Sequence, residues 1–299
     1  MNGIALRDAP DAVRARLGAA LRQRIAGDDA DRRTAAIWDA EGPRRFGPTD
    51  PIWRVHADAS MFIGGIRALL LQSLHPLAMA GVAGHSGYKG DPWGRLQRTS
   101  YYLAATTYGS DRVAGEAIDR VQRIHRHVRG RSEDGRPYAA GDPHLLGWVH
   151  AAEADSFLRA HRRFGADALT DAEADRYVEQ IGQVAARLGV LDPPRTVADL
   201  DQAVRAYRPE LHSTPAAREA ARLLLLRPPL PVLARPGYGG LAAGAVSLLP
   251  MWARLMLRIP WLWPVSDALA RPAAAGTTGV LRWAMSHPHV DPHSRTASG

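Results

Sequence analysis

Two histidines near the middle of the chain have a spacing that separates a buried imidazole from an exposed one. If residues 112–129 form a helix, His125 shares a stripe with apolar residues at spacings of three and four, whereas His127 shares a stripe with arginines. The apolar members of the first stripe are Ala114, Ile118, Val121 and Val128. We therefore expect His125 to point into the core and His127 to face solvent. A core imidazole either binds a metal or cofactor or is hydrogen-bonded to a backbone carbonyl, and both interpretations of His125 stay open.

A second set of polar side chains follows Asp91-Pro92, a pair that is typical of a helix start. These side chains recur at spacings of three and four and would share one helix face. They are Arg95, Arg98, Thr99 and Tyr102. One interpretation is a cationic, hydroxyl-bearing wall of a pocket, because arginine makes forked, charge-assisted hydrogen bonds to the carboxylates of a cofactor or substrate. The alternative is an ordinary solvated helix face.

A third group lies at spacings of three and four on the predicted helix 143–164, where His150 is followed by Glu153. These two side chains are expected to form either a carboxylate–histidine pair behind a metal ligand or a simple helix-surface pair. The sequence contains no Glu-x-x-His, His-Glu-x-x-His, Gly-x-Ser-x-Gly, Walker or Gly-x-Gly-x-x-Gly motif. The usual hydrolase and nucleotide-binding classes thereby lose their support, whereas a haem bound through one histidine stays compatible with the chain.

The composition excludes several further classes of protein. The 299 residues include no cysteine, which rules out zinc ribbons, iron–sulfur clusters, thiolate-bound haem and cysteine nucleophiles. The net charge is +8, and Lys89 is the one lysine among 38 basic residues. Because the arginines are interspersed with acids, as in the segment 28–33, we expect no nucleic-acid partner.

The elements that must position these side chains are predicted to be helices. Capping residues, prolines at helix starts and apolar spacings of three and four recur along the chain, whereas alternating strand-like runs are nearly absent. We therefore predict an all-α fold with a single multi-helix domain. The predicted helices are 11–25, 57–83, 92–108, 112–129, 143–164, 171–188, 197–207, 215–226, 240–258 and 275–285.

Neither of the two long apolar segments is a good membrane-spanning helix. Segment 59–83 carries Arg67 near its middle and is predicted to be a core helix. Segment 238–264 is interrupted by prolines and arginines, and two interpretations stay open: core packing, or contact with a membrane surface through Arg254 and Arg258 on one face. Its tryptophans are Trp252, Trp261 and Trp263. No export signal is visible, so we expect a cytoplasmic protein, with peripheral membrane contact as the open alternative.

Several motifs, in this order, resemble the catalytic domain of the mpaB/rubber oxygenase (latex clearing protein) family. They are Leu70–Pro76, His85-Ser86, Asp91–Thr99, Arg123–Gly130, Trp148–His150 and Asp155–Phe157. The resemblance is clear over 46–165 and looser over the remaining helical part. It implies an N-terminal helical arm over 1–45, a catalytic domain over 46–285 whose buried central helices surround a haem-sized pocket, and a flexible tail over 286–299.

The resemblance also implies a b-type haem and roles for individual residues. His125 matches the proximal ligand of the haem iron. The family's distal Arg-x-x-Lys-Thr motif falls on Arg95, Arg98 and Thr99, so Arg98 replaces a lysine that can bind the iron in rubber oxygenase. A guanidinium stays protonated and is a poor ligand, and we therefore expect an open or water-filled sixth position. The region 79–85 also lacks the acid that rubber oxygenase has on this side.

The implied function is a haem b-dependent oxygenase that uses dioxygen on a small lipophilic, isoprenoid-like substrate, by oxidative cleavage of a carbon–carbon double bond. Arg95, Arg98 and Thr99 are the expected catalytic residues and also contact the cofactor, which His75 and His150 are expected to flank. Rubber itself is not the expected substrate, because a polymer requires a secreted enzyme. Two alternatives remain. One is a non-catalytic haem- or lipid-binding helical protein, and the other is a non-haem metal held by His75, His125 and His150.

Overall fold

The structure is a computed structural model that describes residues 9–27, 29–85, 90–260 and 265–286. Within these ranges the chain forms α-helices, two short 3-10 turns and one two-stranded hairpin, which confirms the predicted all-α, single-domain fold. The α-helices are α1 (Ala9–Ala26), α2 (Ala30–Trp38), α3 (Pro51–Ala57), α4 (Ser60–Gln72), α5 (Pro76–His85), α6 (Pro92–Tyr108), α7 (Asp111–His127), α8 (Pro143–Phe164), α9 (Asp171–Leu188), α10 (Val197–Ala206), α11 (Pro215–Leu226), α12 (Arg235–Leu248), α13 (Met251–Met256) and α14 (Val265–Met285). The 3-10 turns are Arg208–Glu210 and Val232–Ala234.

Helices α6, α8, α9 and α11 have the predicted bounds because their first turns are capped by side chains. The carboxylate of Asp91 accepts a hydrogen bond from the backbone N–H of Gly94 at 2.8 Å, and Asp142 caps α8 in the same manner. Thr170 and Glu173 form a capping box, in which each side chain accepts a hydrogen bond from the other residue's backbone. These local signals are complete within four residues, so sequence alone locates the helix starts.

Two of the predicted helices are broken by proline. The segment 57–83 is not one helix: α4 ends at Gln72, and α5 begins at Pro76 with a bend of 107° between them. Proline has no backbone N–H and disfavours a helical conformation of the residue before it. The segment 240–258 is likewise divided at Pro250 into α12 and α13. The last helix begins at Val265, ten residues before the predicted 275, and α2 and α3 were not predicted.

A short hairpin follows α7, where the prediction extended the helix to residue 129. Strand β1 (Arg129–Arg131) pairs antiparallel with β2 (Pro137–Ala139). The turn contains Asp134-Gly135, and Gly135 has a φ of 82°, a conformation that glycine adopts without steric cost.

The hairpin joins the end of α7 to α5. The backbone N–H of Ala140 donates to the carbonyl of Val128 at 2.8 Å, next to the last turn of α7. On the other strand, the ring of Tyr138 lies 6.2 Å from the ring of His85 in an edge-on arrangement and also lies over Gly81. The end of α7 is therefore held against α5 by backbone and aromatic contacts.

Helices α4 and α8 form the centre of the fold and approach each other closely. A Cβ atom on Gly64 would lie 2.7 Å from a ring carbon of Phe157, so a larger residue at this position would push the helices apart. Beside this contact, Arg67 on α4 and Asp155 on α8 form an ion pair at 2.7 Å, and Arg67 is only 1% exposed. Arg67 also donates to Ser156 Oγ at 2.7 Å. The central arginine is thus a core residue, as predicted.

The segment 238–264 contributes to the core through α12, in which Leu241, Ala245 and Val246 are buried. Arg254 is 6% exposed and donates to the carbonyls of Leu249 and Ser247, so it does not share an exposed basic face with Arg258. Trp261 and Trp263 lie outside the described residues. Among the residues described, no individual helix has the length and apolar character needed to cross a membrane, and only the bent pair of α4 and α5 passes that test jointly.

The predicted N-terminal arm contains α1 and α2, and α1 packs against α6 and α14. Arg24 of α1 lies 4.7 Å from the ring centre of Trp93, and Arg14 donates to the carbonyl of Trp283 at 3.0 Å. The arm therefore covers one side of α6. Residues 1–8 of the arm and residues 287–299 of the predicted tail lie outside the described part of the chain.

Removal of one partner from the central ion pair is expected to destabilise the fold strongly. Asp155→Asn leaves the buried Arg67 guanidinium without its counter-charge, and we expect a loss of about 3–5 kcal/mol in the free energy of unfolding. The matched control is Arg112→Met, because the Arg112–Glu116 pair on α7 is exposed and should contribute less than about 1 kcal/mol. Urea unfolding measures both. Equal losses in the two variants would contradict a central role for the buried pair.

Candidate functional site

Helix α6 carries the predicted cationic face, and its first turns place that face at the surface. Arg98 and Thr99 are exposed, and Arg95 is half-buried. The Nη1 atom of Arg98 lies 3.3 Å from Oδ2 of Asp91, the residue that caps the helix. Arg98 is therefore held toward the start of α6. Ser86, which belongs to one of the family-like motifs, lies outside the described residues.

Helix α7 places its two histidines on different faces, as the spacing predicts, but His125 is half-buried and not a core residue. His127 is exposed and its Nδ1 lies 2.8 Å from the carbonyl oxygen of Arg123. His125 is half-buried at the end of the stripe that buries Ala114 and Ile118. Within the described residues neither ring nitrogen of His125 has a hydrogen-bond partner, so the predicted alternative of a carbonyl-bonded core histidine is not observed. Burial lowers the pKa of His125, which keeps the imidazole neutral and a lone pair free to bind a metal at pH 7.

Helices α6 and α7 bring these predicted residues to the same end of one helical pair. The two helices pack on each other and are joined by Gly109 and Ser110 alone, so the start of α6 lies beside the end of α7. That end also presents two large apolar side chains to solvent, Leu96 and Ile124. Neither helix packs closely along α8 in the part of the chain that the structure describes. The end of the pair is thus an open, partly apolar surface with arginines and one unpaired imidazole.

Helix α8 contributes two titratable groups on one face, His150, which is buried, and Glu153, which is half-buried. His150 is buried with an Nε2 atom that has no hydrogen-bond partner among the described residues, and burial lowers its pKa to about 4. Burial also raises the pKa of Glu153 to about 7. No hydrogen bond joins these two side chains in the described structure, so the predicted carboxylate–histidine pair does not form. Burial, and then the charge of Glu153, raise the pKa of Tyr102 on α6 and of Tyr177 on α9, which indicates that this carboxyl group lies between those helices.

The outer face of α7 forms a basic surface next to these groups. Arg120, Arg123, Ile124 and His127 line an open depression of about 530 Å³. A second depression of about 650 Å³ shares part of that lining and continues onto Arg129. The arginine stripe predicted from the spacing is therefore present and exposed.

The structure also assembles a cluster that the sequence did not indicate. Oε2 of Glu210 lies 3.4 Å from Nε2 of His75 and 2.9 Å from Nε2 of His144. His75 is buried, and burial lowers its pKa. The pKa of Glu210 is lowered. Partial burial alone would raise it, but the hydrogen bond from His144 and the charge of His144 lower it further than burial raises it. Among the described residues these three side chains form the one group with metal-ligating atoms within 4.8 Å of one another.

The predicted site residues thus fall into three places. Arg95, Arg98, Thr99 and His125 lie at one end of the α6–α7 pair, and His150 is buried on α8. His75 contacts the new cluster. The predicted alternative of a non-haem metal held by His75, His125 and His150 is not assembled, because the metal-ligating group among the described residues contains neither of the last two.

The half-buried carboxyl of Glu153 gives a testable dependence of stability on pH. Its folded pKa of about 7 lies above the ordinary value of 4.5, so the stability present at low pH is lost as the pH rises from about 4.5 through about 7. Over this pH range the free energy of unfolding of Glu153→Gln should rise relative to that of the wild type, by up to about 3 kcal/mol. The control is Glu179→Gln, which changes an exposed acid on α9. Unfolding free energies at pH 5 and pH 8 measure the effect, and parallel pH profiles for all three proteins would refute it.

Comparison with known proteins connects these groups to a family. The family model described as "ER-bound oxygenase mpaB/B'/Rubber oxygenase, catalytic domain" matches residues 53–283, which include every predicted site residue. No curated protein and no solved structure matches the chain significantly. The match covers most of the 299 residues, and the predicted resemblance is confirmed. The chain belongs to the mpaB/rubber oxygenase catalytic-domain family and is an oxygenase domain.

Proposed function

We propose that this oxygenase uses haem b and dioxygen and acts on a small lipophilic, isoprenoid-like substrate, with His125 as the proximal ligand of the haem iron. The observation that carries the proposal is the His125 imidazole. It is half-buried, neutral at pH 7 and without a hydrogen-bond partner among the described residues, and it lies within the region matched to the oxygenase family.

The residues around His125 fit a haem in three respects. A neutral imidazole suits iron, and burial already favours the neutral form of His125. Arginines on α6 and α7 are of the type that binds carboxylates, so propionates have partners at Arg95 and on the Arg123 face. The exposed side chain of Leu96, at the start of α6, supplies an apolar surface that a porphyrin would cover.

When bound, the haem supplies the iron that activates dioxygen. The chain itself supplies charge and hydrogen bonds around that chemistry. A guanidinium is a poor iron ligand, so Arg98 would not occupy the iron, and together with Arg95 it would stabilise negative charge. Thr99, on the same face, offers a hydroxyl donor. Glu153, with a pKa raised to about 7, is partly protonated at neutral pH and can therefore exchange a proton there.

The proposed reaction is the oxidative cleavage of a carbon–carbon double bond. Both bonds of the alkene and the O–O bond break, and each carbon forms a double bond to one oxygen atom, so one dioxygen yields two carbonyl groups. The net reaction balances without an external reductant. A lipophilic substrate suits the partly apolar end of the α6–α7 pair, because burial of apolar surface drives its binding.

The haem ligand is tested by replacing His125. His125→Ala should lose the imidazole bond to iron and purify with little haem after reconstitution, whereas His127→Ala changes an exposed histidine on the other face of the same helix and should keep it. The absorption spectrum and a haem assay measure occupancy, and a carbon monoxide shift of the reduced protein reports a reachable sixth position. Full haem occupancy in His125→Ala would show that the ligand assignment is wrong.

The reaction is tested by oxygen uptake with the haem-loaded protein and an isoprenoid alkene such as squalene. We expect one dioxygen consumed per double bond cleaved and carbonyl products detectable by mass spectrometry, with no uptake by His125→Ala. A protein that binds haem but consumes no oxygen with squalene or shorter isoprenoids would instead support the alternative of a non-catalytic haem- or lipid-binding protein.

A further inference from the structure

We propose that His75, His144 and Glu210 bind a divalent transition-metal ion of the zinc class. The site lies where the α4–α5 bend, the first turn of α8 and the 3-10 turn Arg208–Glu210 meet. It is distinct in composition from the haem site proposed above, and it does not rest on that proposal.

The backbone around all three ligands is fixed by contacts that involve no metal. Asp142 accepts a hydrogen bond from the backbone N–H of His144 at 2.8 Å, and Tyr207 donates to the carbonyl of His144 at 2.8 Å. The backbone N–H of His212 donates to the carbonyl of Leu74 at 2.9 Å, which joins the Glu210 segment to the residue before His75. The ligand-bearing segments are therefore held together before any ion binds.

The observed distances suit a single ion. For bonds of about 2.0–2.1 Å to nitrogen and oxygen, neighbouring ligands in a tetrahedral site lie about 3.4 Å apart, and about 2.9 Å apart at a right angle. The two histidine-to-Glu210 distances are 3.4 Å and 2.9 Å, and the separation of His75 from His144 is at most 4.8 Å. His144 is 56% exposed and can rotate to close that last separation.

An ion pair between His144 and Glu210 does not account for the buried member of the cluster. His75 is 2% exposed, and both of its ring nitrogens lack a hydrogen-bond partner among the described residues. Buried polar groups without partners are costly and rare in folded proteins. The Nε2 atom of His75 lies 3.4 Å from Oε2 of Glu210 without hydrogen-bond geometry, and this separation is compatible with two ligands of one ion.

The donor set selects the class of ion. Two imidazole nitrogens and one carboxylate oxygen suit zinc and its neighbours, whereas calcium and magnesium prefer sites made of oxygen. Because His144 and Glu210 are exposed, a fourth position faces water. An ion held here would join three segments that are far apart in sequence, and we therefore expect it to stabilise the folded chain.

The experiment uses Co²⁺ and Zn²⁺ alone as probes with the full-length protein. Co²⁺ in a site of nitrogen and oxygen ligands gives visible absorption bands whose intensity reports its geometry, and Zn²⁺ should displace it. Zn²⁺ affinity is measured by competition with a chromophoric chelator. The chain contains twelve histidines, so the informative quantity is the difference between wild type and variants, not total uptake. Haem-free, haem-loaded and His125→Ala proteins should bind Zn²⁺ equally, which separates this site from the oxygenase proposal.

His144→Ala and Glu210→Gln are the test variants, because both residues are exposed and their replacement should leave the fold intact. Each should lose the Co²⁺ bands and weaken Zn²⁺ binding at least about tenfold. His212→Ala, an exposed histidine near Glu210 that is outside the cluster, is the control and should bind like wild type. Zn²⁺ at a hundredfold excess over its Kd should raise the Tm of the wild type by roughly 5 °C, and this rise should be absent in both test variants. Equal Zn²⁺ affinity in wild type and both test variants, or no Co²⁺ bands in the wild type, would overturn the proposal.

Discussion

The Arg67–Asp155 ion pair sets the spacing of the two helices on which the other elements are arranged. Moving two charges out of water is costly, and the cost is offset here by several short contacts: Asp155 also accepts from Arg159 at 2.6 Å, and Arg67 also donates to the carbonyl of Leu248 at 3.0 Å. The last contact joins α12 to the α4–α8 pair. Because the buried Arg67–Asp155 pair needs all of these hydrogen bonds, few alternative registers of α4 against α8 are permitted. The register in turn fixes which α8 residues face each neighbouring helix.

From this centre the molecule presents two chemically different ends. On one side, α6 and α7 bring arginines, a hydroxyl and the unpaired His125 to an open, partly apolar surface. On the other, the start of α8 meets the α4–α5 bend at the His75 cluster. Helix α8 carries His144 of the cluster in its first turn and His150 and Glu153 further along. The residues of the proposed haem site, Arg95, Arg98, Thr99 and His125, lie on α6 and α7 instead.

Much of the fold follows from local signals in the sequence, and the reasons for the exceptions are physical. Capping at Asp91 and Thr170 acts within one helical turn, and the stripe that separates His125 from His127 needs only helical geometry. The break before Pro76 also had a local signal, which the continuous apolar pattern of segment 59–83 outweighed. In contrast, His144 and Glu210 meet His75 only through tertiary packing, across separations of more than sixty residues, and no spacing rule relates them. The raised pKa of Glu153 is likewise a property of burial, which a sequence does not display.

The hairpin after α7 has a mechanical consequence. His125 lies in the last turn of α7, Val128 follows it and is bonded to Ala140, and Tyr138 lies against α5. Helix α5 in turn begins at the residue after His75. A rotation of the α7 terminus would therefore have to be accommodated by the hairpin and by α5, on which Tyr138 packs. Helix α5 is also the helix that starts next to His75 of the metal-ligating cluster. The two proposed sites are therefore connected through one short run of backbone and aromatic contacts, from the last turn of α7 through the hairpin to α5.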